Sequence, residues 1–271
     1  MKKITFFVLA LAAMTFASCG NKTQQSATGA DSDTIQKSFE QEQIEAGIKM
    51  HLDSIAVSMD TKEFAPITEA VKKGEVTLTE DEKKVKPDYL FDPAQAAELT
   101  TIAQKYSALA MMLMDKEIAK LYEMDTEAYE AALTKLMADV NDPALKKADE
   151  AEGSVLEKSS LLYKEMDNEG RINFYWIASA AFMVEDLYLM SQNTDKFIGK
   201  MTDEQAANVT FRLICVLDGL DRLAAYDPAV PGIAEGLEPL KELNATSVEE
   251  LKAQLASAKE KIAAARDSFL K

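Results

Sequence analysis

The sequence predicts an all-α, multi-helix, bundle-like domain with no significant sheet. Three observations carry the prediction. Apolar residues recur every three to four positions along most of the chain. Only 10 Gly and 7 Pro interrupt 271 residues rich in Ala, Leu, Met, Glu and Lys. The nearest thing to an alternating β-branched run, Glu75 to Thr79, is too short for a confident strand. A 47% hydrophobic and 28% charged composition is that of a globular chain able to bury a substantial core.

The chain opens with Lys2 and Lys3, an apolar run from Ile4 to Phe16, and the small residues Ala17 and Ser18 before Cys19. That is the form of an export signal, and the run falls short of the ~20 apolar residues of a membrane span. Phe16-Ala17-Ser18-Cys19-Gly20 resembles the lipobox of bacterial lipoproteins, with Phe16 departing from the usual aliphatic residue. The resemblance implies cleavage after Ser18, so that residues 1-18 are a signal peptide, and acylation of Cys19. At ~0.8 kcal/mol per buried CH₂, the three chains typical of that class make a stable anchor. The absence of an acidic residue directly after Cys19 implies, by the same resemblance, an outer-membrane position facing the periplasm. Residues 19-33 are polar and read as the lipidated cysteine and a flexible linker. Residues 34-271 remain as a single all-helical domain.

Within that domain the spacing predicts about seven to nine helices. Ile35, Phe39, Ile44, Ile48, Leu52, Ile55 and Met59 stripe a first helix over 34–59. A shorter one is expected over 63–73, closed by Gly74, and Thr79 with Glu82 has capping-box form. Asp92-Pro93 starts the longest predicted helix, unbroken to Glu123 and about 46 Å long, with Met111, Met112 and Met114 thickening an apolar stripe that includes Ile102 and Leu113. Further helices are expected over 126–140 and from Asp142-Pro143 toward Asn168, with Gly153 the weak point. Ile172 to Met190 carries the only tryptophan, Trp176, and is apolar at nearly every helical phase, which marks it as the buried centre. A loop through Phe197 leads to the Thr202/Gln205 capping box and a helix ending near Tyr226; a short helix over 233–243 and an amphipathic one after Ser247 close the chain. Asp-Pro-Ala recurs at Asp92, Asp142 and Asp227 without matching flanks, so it reads as punctuation and not as a repeat.

The inventory excludes most catalysis. His51 is the single histidine, which rules out a paired-histidine zinc site, and no Gly-rich phosphate loop, Gly-x-Ser-x-Gly elbow or Cys-x-x-Cys is present. No cofactor and no metal site is expected, and Cys215 reads as a small buried hydrophobe. Without Lys2 and Lys3 the chain has 28 basic and 46 acidic residues, a net −18 that repels nucleic-acid backbones. Nucleic acid is therefore excluded as a partner; the expected ones are the membrane, through Cys19, and a protein of the envelope.

The informative polar residues lie inside the two most apolar helices. If these fold into an antiparallel hairpin about Phe197, positions summing to roughly 395 face each other. Arg212 then comes level with Glu185 and Asp186, and Tyr175 and Trp176 approach Asp218 and Arg222. Tyr175, Trp176, Asp186, Arg212, Asp218 and Arg222 are accordingly the candidate ligand-binding set, against the plainer reading of structural salt bridges. The leading functional expectation is a non-enzymatic helical scaffold of the envelope; the alternative is a carrier holding a small or lipidic ligand between helices. A sizeable closed pocket lined by Met111, Tyr175 or Trp176 favours the carrier, and a broad exposed apolar patch the scaffold.

Overall fold

The computed structural model describes residues 39–271, with side chains from 43 onward. The signal peptide, Cys19, the linker and the first residues of the predicted opening helix lie outside the described residues. Among those described, the fold is all-α, without a strand, and nine of its helices have seven residues or more. No described helix is long and apolar enough to cross a membrane.

In order these are α1 (Phe39–Asp60), α2 (Ile67–Lys72), α3 (Glu80–Lys84), a 3₁₀ turn (Pro93–Glu98), α4 (Ile102–Leu121), α5 (Glu127–Val140), α6 (Pro143–Glu150), α7 (Val155–Asn168), α8 (Ile172–Gln192), α9 (Thr194–Ile198), α10 (Asp203–Leu223), α11 (Pro231–Leu237), a second 3₁₀ turn (Glu238–Glu242) and α12 (Val248–Ser268). Helix α8 is the hub: it packs against α4, α10 and α12, and also touches α2, α7 and α9. None of its residues is exposed, and Trp176, Ile177, Ala181, Val184, Leu187 and Met190 are wholly buried.

Capping chemistry decides where helices begin. Thr79 with Glu82, Ser154 with Glu157 and Thr202 with Gln205 form reciprocal capping boxes. Ser247 accepts the Glu250 N–H, but the Glu250 carboxylate turns one residue further back, to the amide and hydroxyl of Thr246 at 2.8 Å each. All three Asp-Pro-Ala aspartates accept the N–H two residues on, from Ala94, Ala144 and Ala229. The triplet is local punctuation, as its sequence context indicates.

The predicted helix over 93–123 does not exist as one piece. Leu99 is extended (φ −71°, ψ 123°), and a reciprocal box between Thr101 and Gln104 starts α4 afresh. Gln104 also accepts from Thr100 N–H at 3.0 Å, so two consecutive threonines and one glutamine outweigh the helical propensity of the alanines before them. At 20 residues, α4 is about 30 Å long. The same restart separates α6 from α7, where Gly153 takes φ +127°. Helix α2 begins only after Pro66, since the residue before a proline is driven out of helical backbone. The segment through Phe197 is a helical turn, α9, capped by Asn193, which accepts the Lys196 N–H.

The core departs from the expected stripe at three places. Met111, Met112 and Met114 are buried, whereas Leu113 and Ile102 on the same helix are 49% and 40% exposed. Cys215 is only half-buried and free.

The hairpin register is fixed by one contact. A Cβ placed on Gly219 would lie 2.4 Å from a ring carbon of Trp176, so the bare backbone of α10 is what lets the indole fit, and the two positions sum to 395 as the hairpin requires. Because Trp176 is fully buried and has no room to retreat, Gly219→Ala is expected to destabilise the fold by about 1–3 kcal/mol in chemical denaturation. Trp176→Phe in the same chain should restore part of that loss; a fully additive double variant would contradict the contact.

Candidate functional site

Charges at fully buried positions of a helix must be satisfied internally. Glu185 and Asp186, adjacent on α8, do so differently. Glu185 accepts from Arg266 Nε at 2.5 Å, and the second arm of Arg266 donates to Asp115 at 3.2 Å while its guanidinium lies 4.5 Å over the Tyr188 ring. Asp115 also accepts the Phe91 N–H at 2.8 Å. Two fully buried acids thus share one cation. Burial first, and then the charge of Glu185, raise the Asp115 carboxyl well above its usual range; burial raises Glu185, against the pull of Arg266. Arg266 is thus the shared cation of both carboxyls, and burial beside it favours the protonated form of Asp115 relative to an ordinary aspartate.

Asp186 faces the opposite way. One oxygen accepts the Ile67 N–H at 2.9 Å, tying α8 to the start of α2, and the other has no partner. Burial pushes its carboxyl up to about 7, opposed by that hydrogen bond and assisted by the charge of Glu185.

A second ionic anchor joins α4, α6 and α8. Arg171 grips Asp142 with two bonds of 2.6 Å, and the Tyr106 hydroxyl donates to the same carboxylate. Burial opposes ionisation of Asp142, yet the hydrogen bonds of Arg171 and Tyr106 hold its carboxyl below the ordinary range. Removing either side of such a pair typically costs about 3–5 kcal/mol.

Beside these anchors a cavity of about 690 Å³ opens between α4, α5, α6, α7, α8 and α10. Pockets of roughly 300–1,000 Å³ with apolar walls and a few converging polar groups are the usual form of small-molecule sites. Here Leu109, Leu113, Met137, Leu145, Leu162 and Phe182 supply apolar wall. Tyr175, Ser159, Ser179 and Arg212 supply a polar corner: the Tyr175 and Ser159 hydroxyls are 3.0 Å apart, and Arg212 is close enough to act on the Tyr175 phenol.

The six predicted binding residues therefore separate. Tyr175 and Arg212 line the cavity together. Arg212 does not meet Glu185 or Asp186; it lies over the Phe64 ring at 4.8 Å, because both acids point to other partners. Trp176 stands behind Tyr175 as core, with its ring against Gly219. Asp218 and Arg222 sit on the outer side of α10, paired with each other at 3.5 Å, and Asp218 is 2.7 Å from His51 Nε2, a half-exposed boundary histidine. Met111 is buried away from the cavity. The residues that sequence reasoning missed are Asp115, Asp142 and Arg266. Asp115 had a visible signal, a lone acid directly after three methionines; Asp142 was hidden behind its role as a cap, and Arg266 behind an ordinary charged helix face. Comparison with protein-family models, curated proteins and solved structures returns no match.

A folded-state pKa raised to about 7 from an ordinary 3.8 means that folded Asp186 holds a proton the unfolded chain has released. Its stabilising contribution is complete below about pH 4 and is lost as pH rises through 7. Asp186→Asn keeps an acceptor for the Ile67 N–H and removes the titration. The variant should lose less stability than the parent between pH 5 and pH 8, by on the order of 2–4 kcal/mol in denaturant titrations; parallel pH curves would contradict the assignment.

Proposed function

We propose that this chain is a lipid-anchored binding protein of the bacterial envelope, a carrier whose helical body holds a small, largely apolar molecule in the cleft beside α8. The single observation that supports it most is the cavity itself, about 690 Å³ with apolar walls and one polar corner, cut against the hub helix. Half-buried Ala178, Ser179 and Phe182 line it, so part of α8 that other helices leave incompletely covered meets the cleft.

The anchor rests on the lipobox-like Phe16-Ala17-Ser18-Cys19-Gly20, and the polar stretch after it would let the body reach away from the bilayer. A scaffold that works by helix-to-helix contact would want a broad apolar face. Among the described residues the large exposed apolar side chains are instead spread over α1, α4, α10 and two connections, and one of them, Leu113, belongs to the cleft. The buried acids near the cleft are committed to Arg266, Ile67 and Arg171, and the acids that line it, Glu130 and Asp149, stand on α5 and α6 without the histidine, which lies against Asp218.

The neutral fluorescent probe N-phenyl-1-naphthylamine should bind the folded protein saturably at one site with enhanced emission. Ala178→Trp, which fills the cleft from α8, should abolish that binding while leaving the helical circular-dichroism spectrum intact. Absence of saturable binding, or unchanged binding in the filled variant, would contradict the carrier reading.

A further inference from the structure

The cleft is lined by a buried cation that makes no ion pair among the described residues. Arg212 is 7% exposed and lines the cavity. A guanidinium has five N–H donors, yet the protein offers this one only a long contact, Nη1 to the Met59 carbonyl at 3.5 Å, and the face of Phe64. The other two buried or half-buried arginines described above are treated otherwise: Arg266 and Arg171 each hold two carboxylates. Asp60, whose charge reaches Arg212, is itself exposed and accepts the Ser160 hydroxyl at 2.7 Å. Glu185 and Asp186, close in sequence register, are turned to Arg266 and Ile67. Taking a charge out of water without a partner is unfavourable, and burial accordingly depresses the basicity of Arg212. Such a group is retained at a cost to the empty protein, and a ligand that brings the missing charge removes that cost.

Resting on the carrier reading, we propose that Arg212 is the headgroup site for an amphiphile with a single anionic group, a carboxylate or a phosphate monoester, on one apolar tail. The planar fork of the guanidinium matches two oxygens of either head. The Tyr175 hydroxyl, already paired with Ser159, and the Ser179 hydroxyl add polar partners on the same corner. The tail follows the apolar wall through Phe182, Leu162 and Leu109. A neutral lipid would leave the cation unpaired, and a cationic one would be repelled by it. The net charge of −16 disfavours anions at long range, so selection takes place at contact, inside the cleft.

The test compares dodecanoate, dodecyl phosphate and dodecanol as competitors of N-phenyl-1-naphthylamine, each below its aggregation limit. At least one anion should bind about tenfold or more tightly than dodecanol, and the stronger of the two identifies the head. Arg212→Gln should erase that advantage, bringing the ratio of anion to dodecanol affinity to about one. Its melting temperature should not fall, because no ion pair is broken. Tyr175→Phe provides a second variant, expected to weaken the anions several-fold and dodecanol not at all. Dodecanol binding as well as both anions, or anion affinity indifferent to Arg212→Gln, overturns the headgroup assignment and leaves the carrier reading standing. Failure of all three competitors and of the probe to bind removes the carrier reading, and this proposal with it.

Discussion

The structure depends on one constraint, that no residue of α8 is more than partly exposed to water. A helix in that position imposes a condition on each neighbour. Trp176 requires a residue without a side chain opposite it, and α10 supplies Gly219. Glu185 requires a cation, and α12 supplies Arg266 from the far end of the sequence. The charge of Arg266 then draws in Asp115 from α4, whose carboxyl is raised above its ordinary range by burial and by the charge of Glu185. Asp186 requires a donor and receives the first amide of α2. Four elements, three of them distant in sequence, are thus held to the same helix by contacts that specify position, whereas hydrophobic burial alone would tolerate sliding.

The cleft follows from the same arrangement. Helices α4, α10 and α12 cover α8 closely, while α5, α6 and α7 stand around the remaining side and enclose space instead of filling it. The Arg171–Asp142 pair holds the start of α6 against α4 and α8, and the break at Gly153 lets the chain turn back as α7. Electrostatics then divide the interior. Glu185 is paired with Arg266 and Asp186 is held by the Ile67 amide, whereas buried Arg212, without an ion pair among the described residues, borders the cavity.

Much of the fold was legible because its signals are local. Capping boxes at Thr79 and Thr202 depend on residues three apart, and the apolar surround of Trp176 marks the hub from sequence alone. The hairpin sum of 395 placed Trp176 against α10 correctly, since two helices joined by a short connection have little freedom of register. What failed was direction. A register brings Arg212 level with Glu185 but does not say where either side chain points, and the choice was made by Arg266 and Ile67, each far away in sequence. The predicted helix over 93–123 failed for the opposite reason: its alanines and methionines are good helix formers, and a short cap at Thr101 was enough to outweigh them. Asp142 was recognised as a cap and not as an ion-pair partner because its second role exists only once Arg171 has been folded against it.

The central claim is that α8 lies at the heart of the molecule, and the single tryptophan makes it directly measurable. Trp176 should emit at short wavelength in the folded protein and resist quenching by acrylamide, with both properties lost together on unfolding in denaturant. Emission at the wavelength of a water-exposed indole, or ready quenching of the native protein, would contradict the placement of α8 on which the hairpin, the ion clusters and the cleft all rest.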